Sequence, residues 1–142
     1  VRTETYVITI PQVPKSVNAG GGGVRSAHWS IASKEKRKWE RWFQDEFMMG
    51  AVEKDMTHCK VDVTLRFKHN HHRDLENYRH PVIKPLADAL VGGRWLRDDT
   101  EEWFEVEGFH MEQGVELSYP PHHRTGHLIK SEMIVRLEAS YA

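Results

Sequence analysis

One cysteine, Cys59, stands in a chain of 142 residues. No intrachain disulfide can form, and no zinc site can be built on thiolates. Long apolar runs are missing too: none approaches the roughly 20 residues that span a bilayer. The start of the chain reads as a strand and not as a basic region leading into an apolar leader. A cytoplasmic setting without membrane attachment is therefore expected. Charge of one sign is not in excess, since 20 Lys and Arg face 21 Asp and Glu for a net charge of −1. That balance alone gives no reason to expect a nucleic-acid partner. There is no internal repeat and no low-complexity tail. The length fits one domain over 1–142 with a real core.

The distribution of charge says more than its sum. Residues 1–80 hold 14 basic and 10 acidic side chains, whereas 81–142 hold 6 and 11. Within 15–41 there are seven basic residues and two acidic ones. A basic surface beside an acidic pocket suits an enzyme that holds a polyanion and binds metal. The same charges also suit solvated helix and strand faces.

Tyr6–Ile10 reads as a buried strand stopped by Pro11 and Pro14. Residues 18–25 form a glycine-rich loop with four consecutive glycines at 20–23, costly to order and expected to be mobile. Arg25, His28 and Trp29 border it. The loop either closes on nucleic acid or simply connects. Trp39, Trp42, Phe43, Phe47 and Met49–Val52 recur at helical spacing, with Glu46 on the same stripe. They predict a helix from about Ser33 to about Lys54 with Ser33 as its cap. The tryptophans are expected in the core. Lys34, Lys36, Arg37, Lys38 and Arg41 populate its other faces, as phosphate contacts or as a wet face.

Lys60–Lys68 alternates cleanly, with Val61, Val63, Leu65 and Phe67 toward the core. A second helix is expected over Pro81–Val91, with Val82, Ile83, Leu86, Ala87 and Leu90 inward and Gly92-Gly93 as its stop. Pro85 falls inside that span, so the helix either starts later or is kinked. Strands over Glu102–His110 and Met133–Ala139 complete the pattern, separated by a long loop at 112–128. The order β-α-β-α-β-β predicts an α+β domain: a mixed sheet with two main helices on one face.

The residues able to carry chemistry are Asp74-Leu75-Glu76-Asn77, Lys84 with Asp88-Ala89-Leu90, and Asp98-Asp99. If 74–76 is extended, Asp74 and Glu76 project to one face, about 7 Å apart at the backbone, and can converge on one cation. The intervening helix can return the chain so that Asp98 or Asp99 meets them. Mg²⁺ takes a few carboxylates and keeps waters for substrate phosphate. It polarises a phosphoryl group and lowers the pKa of bound water. Lys84 adds positive charge for the transition state or the leaving oxygen. Asp-x-Glu pairs and turn-capping Asp-Asp pairs also occur without any metal.

In order and spacing these motifs resemble the RusA family of Holliday junction resolvases, which carry Asp-x-Asp-Asn, a lysine, Asp-Ala-Leu and a downstream Asp-Asp. Tyr6-x-Ile8-x-Ile10-Pro11-x-x-Pro14-x-Ser16-x-Asn18 is similar to the first strand and Pro-rich turn of that family. The resemblance implies a small α+β homodimer that cuts four-way junctions or related branched DNA with Mg²⁺, Mn²⁺ substituting. It implies Asp74, Glu76 and Asp99 as metal ligands, Asp98 as a further contributor and Lys84 as the catalytic lysine. The candidate DNA contacts are Arg25, Lys34, Lys36, Arg37, Lys38, Lys68, Arg73 and Arg79. Two departures stand out. Glu76 replaces the usual second Asp, and the interval from Asn77 to Lys84 is about one helical turn longer.

Two other readings remain open. Ten histidines, among them His69, His71, His72, His122, His123 and His127, could build a zinc hydrolase, although no His-Glu-x-x-His pattern appears. A non-catalytic module could bind branched or duplex DNA through the basic face.

Overall fold

In a computed structural model, the described residues are 1–17, 29–119 and 128–142. The glycine-rich loop with Arg25 and His28, and residues 120–127 of the long loop, lie outside them. The elements are β1 (Arg2–Ile10), α1 (Trp29–Met49), β2 (His58–Phe67), α2 (Glu76–Gly92), β3 (Phe104–Gln113) and β4 (Ser131–Tyr141). The sheet order is β1-β4-β2-β3. β4 runs antiparallel to β1 and β2, while β2 and β3 are parallel with α2 as their crossover. This is the expected α+β domain with a mixed sheet. Among the described residues, no helix is long and apolar enough to cross a membrane.

β2 is the central strand, and its two-residue period decides its orientation. Cys59, Val61, Val63, Leu65 and Phe67 are buried, while Lys60, Asp62, Thr64 and Arg66 face the other side. β4 repeats the pattern with Met133, Val135, Leu137 and Ala139. From α1, Trp39, Phe43 and Phe47 enter this core at four-residue spacing. Trp39 is core, as expected, with Trp42 stacked on it at 4.9 Å and half-buried. Each core aromatic buries on the order of 150–250 Å².

Both helices depart from their expected bounds. α1 begins before Ser33, so Ser33 is not its cap, and it ends at Met49 rather than near Lys54. The stop is a pair of reversed hydrogen bonds. Val52 N–H donates to Phe47 O at 3.0 Å, and Ala51 N–H donates to Met48 O at 3.1 Å. Ala51 takes the left-handed backbone at φ 53°. Met48 and Met49, in the last turn of α1, lie outside the core and are exposed, whereas Val52 beyond the stop is buried.

α2 begins at Glu76, five residues before the expected Pro81, and contains both Pro81 and Pro85. Pro81 has no N–H to offer the carbonyl of Asn77, one turn back. Val17 N–H supplies the missing donor to Asn77 O at 2.9 Å. The segment after β1 is thereby tied to the first turn of α2, which makes the proline tolerable and fixes the end of the helix where Asp74 and Glu76 lie. At the other end, Trp95 N–H donates to Leu90 O and Arg94 N–H to Val91 O, at 2.9 and 3.1 Å. Arg94, not Gly92 or Gly93, adopts the left-handed conformation of this stop, with φ 64°.

Candidate active site

One face of α2 carries the acidic and basic groups. Glu76, Arg79, His80, Ile83, Lys84 and Ala87 recur at three- and four-residue spacing and form one wall of an open cleft of about 440 Å³. Asp99 and Phe104, from the turn into β3 and its first residue, form the other wall. The longer interval before Lys84 therefore keeps it on the Glu76 side of the helix. Eight residues separate the two, about 12 Å along the axis.

Lys84 Nζ lies 3.2 Å from Asp88 Oδ1 and 3.8 Å from Asp99 Oδ2. Asp88 Oδ2 is held in turn by Lys36 of α1 at 2.7 Å. Two lysines from two helices thus share one carboxylate, and one of them reaches across the cleft. Partial burial alone would raise the Asp88 pKa, but hydrogen bonds from Lys36 and Lys84 outweigh it and hold the carboxyl below its ordinary value. The hydrogen bond to Asp88 is the main reason that the Lys84 pKa is raised, with Asp99 contributing less. A lysine is charged at neutral pH in any case, and this pairing acts in the same direction.

Folding lowers the Asp88 pKa, so the unfolded chain takes up the proton first. The ion pair contributes fully above the ordinary aspartate range near pH 4, and that contribution is lost as pH falls through the lower folded value. Lys36→Met removes one of the two groups that depress this pKa. Acid unfolding of that variant, followed by circular dichroism, is expected at a higher pH than in wild type; an unchanged midpoint would count against this pairing.

Asp74 is placed differently from its expectation. The segment is not extended: Leu75 is already in the right-handed helical region, with φ −56° and ψ −39°. Asp74 Oδ1 accepts from Glu76 N–H at 3.1 Å, and Asp74 O accepts from Asn77 N–H at 3.1 Å. The side chain satisfies a free donor at the start of α2, as an N-terminal cap does. Asp74 and Glu76 therefore do not project side by side from a strand. Asp98 Oδ1 likewise accepts from Asp99 N–H at 2.8 Å and shapes its own turn.

The basic candidates divide by role. Lys34, Arg37 and Lys38 are exposed on α1, and Lys68 is exposed at the end of β2. Arg79 lines the cleft, with its guanidinium 5.8 Å from the Phe109 ring centre. Arg73 is engaged inside the fold. It stacks on Phe67 at 3.9 Å, donates to His69 O at 3.0 Å and bonds the Gln113 side chain. Its first task is to hold the loop between β2 and α2 against the end of β3. Asp88 belongs to the motif read from the sequence, but that reading gave it no role in the site. Its i,i+4 relation to Lys84 was legible in the sequence, whereas its contact with Lys36 depends on how α1 packs on α2.

A hard cation such as Mg²⁺ takes one or two carboxylates and keeps water and substrate phosphate in its other positions. Glu76 and Asp99 are oxygen donors on a shared, solvent-open cleft. Among the described residues, no three acids, histidines or cysteines are grouped tightly enough to form a metal cage. His122, His123 and His127 lie outside those residues. No protein-family model matches the chain, and no curated protein matches it.

Proposed function

We propose that this chain is a Mg²⁺-dependent endonuclease acting on branched DNA, with the four-way junction as its first candidate substrate. The observation that carries the proposal is the cleft itself. Glu76 and Lys84 from one side of α2 and Asp99 from the turn before β3, ordered as in the motif, line one opening together with Arg79. Their chemistry fits a phosphodiester. Glu76 and Asp99 would hold the cation, which when bound supplies a polarised phosphoryl oxygen and a more acidic water. Arg79 and Lys84, both cationic at neutral pH, would neutralise phosphate oxygens. The exposed Lys34, Arg37 and Lys38 would follow the backbone away from the cut. Two symmetric nicks need two such sites, so a C₂ homodimer belongs to the same proposal.

The capping hydrogen bond of Asp74 favours a second reading, a DNA-binding module whose acids are structural. Asp74→Asn separates the two. Asparagine also caps helices well, so stability is expected to stay within about 0.5 kcal/mol of wild type. A catalytic Asp74 makes this variant bind a synthetic junction without cutting it in Mg²⁺ or Mn²⁺. Cutting at the wild-type rate would reduce Asp74 to a cap, and wild-type protein that binds junctions but never cuts in any divalent metal would sink the nuclease proposal.

A second test concerns the basic face of α1. Replacing Lys34, Arg37 and Lys38 together by Gln is expected to weaken junction binding at every sequence alike. The slope of log K against log salt should become shallower by about 0.9 for each phosphate that is no longer neutralised. An unchanged slope would remove this face from the DNA-binding surface.

A further inference from the structure

We infer that Asp88 is a positioning residue: it holds Lys84 at the cleft beside Asp99, and through Lys36 it makes that placement depend on α1. The helix alone does not achieve this. A lysine placed four residues before an acid is the weaker orientation of an i,i+4 pair. Lys84 and Lys36 are each 44 % exposed at the side chain and, in water, would sample many rotamers. Asp88 is the less exposed partner at 22 %, and its two oxygens are divided between the lysines, Oδ1 to Lys84 and Oδ2 to Lys36. A carboxylate fixed from α1 cannot follow Lys84 into solvent, so Lys84 stays within reach of Asp99 Oδ2. Outer-shell partners that orient metal ligands change affinity or activity by about 10- to 100-fold when replaced, and an effect of that order is expected for a carboxylate that orients a lysine.

The effect on turnover rests on the nuclease reading, whereas the placement of Lys84 does not. The experiment therefore has two arms. In the first, side-chain ¹⁵N spectra of the free protein follow the ammonium groups of Lys84 and Lys36, with Lys84→Met and Lys36→Met giving the assignments. Asp88→Asn is expected to shift both signals and speed their proton exchange, and Asp88→Glu to restore them in part. In the second, junction cleavage by Asp88→Asn is expected to fall about 10- to 100-fold. Junction Kd should stay unchanged or tighten, since one negative charge has left the DNA-facing side, and Asp88→Glu should recover part of the turnover. A Lys84 signal indifferent to Asp88→Asn overturns the inference, as does wild-type turnover in that variant. A joint loss of binding and melting temperature also overturns it, marking Asp88 as merely structural. If the wild type cuts no branched DNA, the nuclease reading fails and the ammonium signals alone decide the role of Asp88.

Discussion

On the proposed nuclease reading, cleavage of a synthetic four-way junction in Mg²⁺ is expected to slow by at least about 100-fold when Asp99 is replaced by asparagine, while junction binding survives. Asparagine matches aspartate in shape, and Asp99 is 38 % exposed at its side chain. Its backbone N–H keeps the bond to Asp98 Oδ1, so the turn into β3 persists. The fold should therefore change by no more than about 0.5 kcal/mol. What is lost is a negative charge opposite Lys84, and with it one of two carboxylates available to a cation in the cleft. The local charge rises by one, which favours the polyanion. Binding retained or strengthened alongside lost turnover is the signature of a residue used in the reaction. Wild-type cutting by Asp99→Asn would remove this residue from the site. Loss of binding and cutting together would instead point to a role in folding the turn.

How far the sequence could reveal this arrangement depended on the range of the interactions. β2 was legible because a period of two places Val61, Val63, Leu65 and Phe67 on one face whatever surrounds the strand. The stripe of Trp39, Phe43 and Phe47 was legible for the same reason at the helical period. Helix ends were not, because they are set by partners remote in sequence or by residues unsuited to the conformation. Pro81 has the look of a first helical residue, but Val17 satisfies the carbonyl of Asn77 and lets the helix start earlier. Gly93 has the look of a left-handed stop, yet that conformation falls on Arg94.

The candidate site divides along the same line. Glu76 and Lys84 share a face through helical spacing, which the sequence contains. The approach of Asp99 to Lys84 needs the stop after α2 to send the chain back, and the pairing of Asp88 with Lys36 needs α1 to pack on α2. The backbone at 74–76 is helical and not extended, and a strand and a helix start place Asp-x-Glu differently. In a strand the two side chains are parallel; at a helix start the first carboxylate turns onto the backbone of the second.

Gly93→Ala is expected to be the most damaging single-methyl change in the described fold, costing about 3 kcal/mol. Gly93 has φ −87°, so its backbone conformation is open to any residue. Space is the constraint. A Cβ there would sit 2.0 Å from Trp95 Cζ3 and 2.4 Å from Trp95 Cε3, inside the six-membered ring's van der Waals envelope. The ring has no room to retreat. Trp95 is 2 % exposed, packs edge-on against Phe47 at 5.4 Å and donates its indole N–H to Val52 O at 2.9 Å. Its backbone is held as firmly, with N–H on Leu90 O and its carbonyl accepting from Met56 N–H. Moving the ring breaks the link between the end of α1 and the end of α2, and it also displaces the chain that carries Asp99 back to Lys84. Urea unfolding of Gly93→Ala, Trp95→Leu and the double variant tests this cause. Trp95→Leu alone loses packing and an indole hydrogen bond, and it should cost about 2–4 kcal/mol. If the clash is the mechanism, the methyl group adds little once the indole is gone, and the double variant is about as stable as Trp95→Leu. Additive losses would place the damage in the backbone at Gly93 and not in the clash with Trp95.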